Sequence, residues 1–283
     1  MRQYTHLIYA VVFAVVPQIF TPAAAAELPS YAASYELRLT RASASEGPRA
    51  AVGTLESVFQ ETCDGWETRT RTVMDLAFRD STNFTNERYF DSWESKNSRE
   101  YKFSVHTFRN GRTIESFAGR AKLEGSGGRA YYGAIGEEGE RVSEELVVEL
   151  PKGTMLPVKH ARTLLDRAEM GVPLFRSVVL DGASSTGPRV VSIAIGKRIK
   201  EDEVPPTLSG ATAEDIDRLL NAPSWRMSTA RFNLYEERDT PDTELFLKLH
   251  NTGVMESFEQ TFKDFSLSAR MVSLRLLDSP QCS

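Results

Sequence analysis

Two cysteines, Cys63 and Cys282, and four histidines, His6, His106, His160 and His250, are the side chains of this 283-residue chain with the clearest capacity for covalent or metal chemistry. Redox catalysis calls for an activated thiolate, most often in Cys-x-x-Cys spacing, and here nearly the whole chain separates the two cysteines. What remains to them is a structural disulfide, if the compartment is oxidising. His106, His160 and His250 fall in different segments with no short ligand spacing, so no metal is expected and each reads as an ordinary partly buried or surface histidine. The chain has no Gly-x-Ser-x-Gly elbow, no Gly-x-x-x-x-Gly-Lys loop and no His-Glu-x-x-His helix, the signatures of the commonest hydrolase, nucleotide and zinc chemistries. Gly125-Ser126-Gly127-Gly128 lacks the lysine of a phosphate cradle and reads as a turn, and the acidic runs Glu137-Glu138-Gly139-Glu140 and Glu201-Asp202-Glu203 read as solvated loops. No catalytic residue and no cofactor is expected.

The first 26 residues set the compartment. Arg2 and His6 precede an apolar run from Leu7 to Phe20, and Ala23-Ala24-Ala25-Ala26 stand before Glu27. This is the form of a cleavable Sec-type signal, with an apolar stretch too short for a membrane span. With no cysteine near the cleavage point, a lipid anchor is not expected. The mature chain, 27–283, is expected in a bacterial periplasm, where compatible thiols are oxidised. A Cys63–Cys282 bridge would close a loop of about 200 residues, worth roughly 5 kcal/mol at most in chain entropy.

The elements that must position these residues are strands. Loss of Arg2 with the leader leaves 33 basic and 39 acidic residues, a mild excess of acid that argues against nucleic acid as a partner. With no linker of low complexity, the mature chain reads as one domain. Two-residue alternation of aromatic and β-branched side chains dominates. It runs through Tyr35-Leu37-Leu39, Leu55 to Glu61, Trp66 to Phe78, Tyr101 to Val105, Thr113 to Leu123, Ala130 to Ala134, Glu145 to Leu150, Phe175 to Leu180 and Val190 to Ile195. It resumes through Trp225 to Tyr235, Thr243 to His250, Val254 to Phe262 and Phe265 to Leu277. Asp64-Gly65 and Asn110-Gly111 are hairpin turns because both can take positive φ; Asp181-Gly182, Gly187-Pro188 and Asn251-Thr252-Gly253 punctuate the rest. Helical spacing occurs at His160 to Met170 and at Thr212 to Leu220, the second opening on a near capping box, Thr212-Ala213-Glu214-Asp215. About a dozen strands with two short helices predict a mostly β protein, an antiparallel meander that curls into an open, barrel-like sheet to bury its apolar parity. Trp66, Trp93 and Trp225 read as core anchors, with the lining of a cavity as the alternative.

The order of short motifs adds a family resemblance. Cys63-Asp64-Gly65-Trp66, Ser92-Trp93-Glu94-Ser95, Leu150-Pro151-Lys152-Gly153-Thr154 with Pro157 and His160, Asp181-Gly182, Asn251-Thr252-Gly253-Val254, Asp264-Phe265 and Cys282 form a series. It resembles that of the EipB-type cell-envelope integrity proteins of alphaproteobacteria, over essentially the whole mature chain. The resemblance implies a monomeric, exported β-spiral stapled through Cys63 and Cys282, with no catalytic residues to carry over. It also implies a role in maintaining the cell envelope and a periplasmic tetratricopeptide-repeat protein as a functional partner. Thr252 departs from the pattern, standing where a tighter Asn-Gly turn is expected. The leading functional expectation is a non-enzymatic envelope factor whose concave sheet binds a lipid, lipoprotein or glycan at residues the sequence does not single out. The alternatives are a protein-interaction scaffold without a small ligand and, behind it, a hydrolase assembled from distant carboxylates.

Overall fold

The computed structural model describes residues 28–282 except 81, 126, 137–139, 141–144, 200–206 and 237–238. The expected leader, Glu201-Asp202-Glu203 and most of the other acidic run lie outside the described residues. Within them the chain forms β1 (Tyr31–Ala42), β2 (Ala50–Glu61), β3 (Gly65–Ala77), β4 (Asn83–Ser95), β5 (Glu100–Arg109), β6 (Arg112–Glu124), β7 (Gly127–Ala134) and β8 (Leu146–Leu150). Helix α1 (Pro157–Glu169) precedes β9 (Leu174–Val179) and β10 (Arg189–Ile199), and α2 (Ala213–Leu219) precedes β11 (Ser224–Asn233), β12 (Thr243–His250), β13 (Met255–Thr261) and β14 (Phe265–Leu276).

The turn chemistry explains the hairpins. Asn110 and Gly111 take consecutive positive φ values of 48° and 75°, the backbone a two-residue β5–β6 turn needs. At the β2–β3 turn the amide of Thr62 donates to the Gly65 carbonyl at 2.9 Å, and the Thr62 hydroxyl donates to Asp64 Oδ1 at 2.9 Å. Thr252 has a job of its own: the β12–β13 turn closes through the His250 amide to the Val254 carbonyl at 3.0 Å, and the extra residue donates its hydroxyl to the Leu219 carbonyl at 2.7 Å, tying the turn to the end of α2. The capping box of α2 forms in full, with the Asp215 amide donating to Thr212 Oγ1 and the Thr212 amide donating to the Asp215 carboxylate.

All fourteen strands belong to one antiparallel sheet in the order β8-β7-β6-β5-β4-β3-β2-β1-β14-β13-β12-β11-β10-β9. The first and last strands are thus neighbours at its middle, and β8 and β9 are its edges. Register breaks in the β1–β14, β5–β6, β10–β11 and β12–β13 ladders add twist and curl. The ladder between β8 and β9 is missing, so the barrel is not closed by strands; other contacts bridge the edges. Met155 pairs parallel with Val179, Tyr101 donates its hydroxyl to the Asp181 carbonyl at 2.7 Å, and Tyr235 donates to the Glu149 carbonyl of β8. Gly182, at φ 69°, lies so close to Phe103 of β5 that a Cβ there would sit 2.6 Å from Cγ of that ring.

The core follows the inner parity. α1 packs Val158, Leu164, Leu165 and Ala168 against Val179, Val191, Ile193, Trp225, Met227 and Leu249, the concave face of β9 to β12, with Trp66 of β3 on its other side. Its N-terminus is held from afar: no side chain of its own caps it, and Glu94 of β4 accepts from the amides of Val158 at 2.6 Å and Lys159 at 3.1 Å. Glu94 is 1% exposed; burial raises its carboxyl above the ordinary value, against the pull of the helix amides and Arg162. The disulfide joins Cys63, in the β2–β3 turn, to Cys282, with Cα atoms 5.5 Å apart.

Candidate functional site

The curl encloses a lumen of about 560 Å³, within the range of small-molecule sites. Its walls differ in kind because they come from different parts of the sheet. The central strands supply an apolar wall: Leu37 of β1, Leu55 of β2, Met74 and Leu76 of β3, Phe258 of β13 and Leu267 of β14. The flanks supply a polar one: Arg88 of β4 and Thr107 of β5 from one side, Arg189 of β10, Arg231 of β11 and the Asp181–Ser184 loop from the other. Strand register dictates this sorting. Trp225, Met227, Thr229 and Arg231 alternate on one face of β11, so the face that meets α1 at one end presents a guanidinium to the lumen at the other.

The flanks meet opposite the apolar wall. Arg88 Nη2 donates to the Ala183 carbonyl, while Nη1 donates to Thr107 Oγ1 and Glu115 Oε2, each at 2.9 Å. Arg189 donates to Asp242 and to the hydroxyls of Ser184 and Thr186 at 3.0 and 3.1 Å. Arg231 is different. Its nearest acid is Asp181, with Nη1 to Oδ2 at 3.7 Å, and its Nε is shut from solvent with no hydrogen-bond partner among the described residues. Such an arrangement suits an amphipathic molecule, with its apolar body on the central strands and a polar or anionic end toward the arginines.

The residues singled out in the sequence are scattered about this lumen. His160, on α1, stacks on Phe175 with ring centroids 5.8 Å apart; burial, with Arg231 nearby, pushes its pKa down to about 4. His106 sits on the other face of the sheet, 3.0 Å from the Ser116 hydroxyl. His250 Nε2 and Lys248 Nζ meet Glu256 Oε2 at 2.9 and 3.0 Å. Burial alone would raise the Glu256 carboxyl, but these two partners outweigh it and hold it below its ordinary value. The three histidines do not converge, and no group of three or more metal-ligating side chains is found among the described residues. The tryptophans are not lumen residues: Trp66 and Trp225 are core, 3% and 2% exposed, and Trp93 lies under Lys102 on the opposite face. The sequence reading missed the lumen; the signals that could have found it are arginines on apolar rows, Arg231 on β11 and Arg189, in line with Val191, Ile193 and Ile195, on β10.

Comparison with known proteins agrees with the fold. The EipB-like family matches residues 22–278. The chain is 25% identical over 265 residues, 91% of its own length and 87% of the other, to the cell envelope integrity protein EipB of Brucella abortus strain 2308. Its fold matches the crystal structure of a β-barrel-like protein with a DUF1849 domain from Brucella abortus, with a TM-score of 0.77, 21% identity, and coverage of 90% of this chain and 100% of that one. The motif order, the curled fourteen-stranded sheet and a match spanning nearly the whole chain establish that this protein belongs to the EipB-like family.

Proposed function

We propose that this chain is a periplasmic, non-enzymatic factor of cell-envelope integrity whose lumen holds a lipid or the lipid-bearing end of a lipoprotein. The observation that carries this reading is the two-sided lumen, apolar where the central strands curve and arginine-rich where the flanks meet. A sheet needing only to bury its own surface has no use for three arginines on its inner parity. The description of the Brucella abortus relative as a cell envelope integrity protein supports the physiological part. A docking role is the second reading, favoured by Leu146 and Val147 of edge strand β8, 55% and 48% exposed.

The test is complementation. Deleting the gene should sensitise cells to detergent and to cell-wall-active antibiotics, and the wild-type gene should restore resistance. Leu55→Glu places a carboxylate on the apolar wall at a half-buried position; the folded variant should fail to restore resistance. Full rescue by a folded Leu55→Glu protein would refute the lumen as the working part and favour the docking surface.

A further inference from the structure

Beside the lumen, four polar atoms are closed off from solvent with no hydrogen-bond partner among the described residues: His160 Nε2, Ser177 Oγ, Thr229 Oγ1 and Arg231 Nε. They gather on one patch of the concave face. Ser177 pairs with Val191 and Val191 with Arg231 across the β9–β10–β11 ladders, so at roughly 4.8 Å per strand the outer two backbones lie about 10 Å apart. Thr229 is two residues before Arg231 on the same face, and Phe175, the platform of the His160 ring, is two before Ser177. Ser177 and Thr229 are only 8% and 6% exposed. Native interiors rarely leave even one such atom unpaired, so a cluster of this kind calls for an occupant.

Its chemistry follows from the charges. Arg88 and Arg189 each hold a carboxylate in a direct hydrogen bond. Arg231 does not: its guanidinium donates no hydrogen bond among the described residues, and Asp181 stands off at 3.7 Å while its Oδ1 accepts from the Ala183 amide. Of the arginines on the lumen wall, Arg231 is the one with donors to spare, and it lines the cavity directly. Ordered water would serve the two hydroxyls. A half-buried cation whose nearest acid stands 3.7 Å off, without a hydrogen bond to it, has room for an anion.

Resting on the lumen reading above, we infer that Arg231 is the head-group site for an amphiphile that carries one anionic group, carboxylate or phosphate, and lays its chain on Leu37, Leu55, Met74 and Leu267. His160 sits behind this patch, stacked on Phe175.

Displacement of the fluorescent fatty acid cis-parinarate from the purified, disulfide-bonded mature protein tests this. Palmitate should compete at least tenfold better than hexadecanol, the difference one hydrogen bond to a charged group supplies. Arg231→Gln, verified as folded by circular dichroism, should bring palmitate down to the potency of hexadecanol, and Arg231→Lys should keep part of the preference. The wild-type acid-to-alcohol ratio decides the matter even if neither variant folds. Lysophosphatidate outcompeting palmitate would support the site and identify phosphate as the anion. Equal competition by palmitate and hexadecanol would overturn the head-group site yet leave the lumen reading intact. Absence of cis-parinarate binding would overturn both.

Discussion

Acid should loosen this protein through His160. The ring lies in the packing between α1 and β9, stacked on Phe175, and its Nε2 is shut from solvent although part of the residue is accessible. Burial, reinforced by the Arg231 charge and opposed by Asp181, lowers its pKa from 6.5 to about 4. The folded state therefore holds the neutral imidazole, whereas the unfolded chain takes up a proton near pH 6.5. Stability drawn from this residue is complete above pH 6.5 and is lost progressively as the pH falls toward 4. At about 1.4 kcal/mol per pH unit the loss amounts to about 3 kcal/mol. His160→Leu removes the titration and keeps the site apolar. Urea denaturation of both proteins at pH 7.5, 6.0 and 4.5 should give a wild-type stability that declines relative to the variant by about 2.5 kcal/mol over that range. A difference that stays constant with pH would mean that His160 titrates as in the unfolded chain, and the buried, neutral assignment would be wrong.

Other perturbations test the elements that shape the lumen. Cys63→Ser and Cys282→Ser should each lower the melting temperature as far as the double replacement does, since each opens the same loop and forfeits the same stability, at most about 5 kcal/mol; additive losses would count against a single bridge. Glu94→Ala strips α1 of its only side-chain cap and should cost roughly 1–3 kcal/mol in chemical denaturation, an effect absent if water can replace the carboxylate. Gly182→Ala forces a side chain into the left-handed region and against Phe103, and should destabilise by more than about 1 kcal/mol; a neutral result would show that the β5 contact at the sheet's junction is loose.

Much of the fold was legible because most strands bury one parity and expose the other. β11 through β14 announce themselves by that alternation, and Asn110-Gly111 marks its hairpin by residue type alone. β4 was the exception, and the reason is physical. Its inward row, Phe84, Asn86, Arg88, Phe90, Ser92 and Glu94, mixes polar with apolar because it lines the lumen and anchors α1, so the period-two signal vanishes where the strand has most to do. Ser92-Trp93-Glu94-Ser95 was visible as a motif, yet nothing local says that Glu94 caps a helix 64 residues further along. Likewise, the sequence contains Arg88 and Ala183 but not the curl that brings them together. Arg189 and Arg231, charges on the apolar rows of β10 and β11, are the local signals that could have marked the site.

The middle position of β1 and β14 has a consequence for the order of assembly. The molecule consists of two meanders, β1 to β8 and β9 to β14, that spread in opposite directions from their shared β1–β14 ladder. Within each meander every pairing joins neighbours in sequence and closes at small entropic cost, whereas the ladder that sets Tyr31 beside Leu276 spans almost the entire chain, the kind of contact that slows folding most. A polypeptide emerging N-terminus first thus carries β1 with one bare hydrogen-bonding edge until its last strand arrives, and that edge is where a truncated copy would aggregate or recruit a sister chain. Because Leu277 donates its amide to the Ser30 carbonyl at 2.9 Å, a short linker could join the two ends. A circular permutant opened between β8 and α1 would turn the longest-range closure into a hairpin and should fold faster than the natural chain.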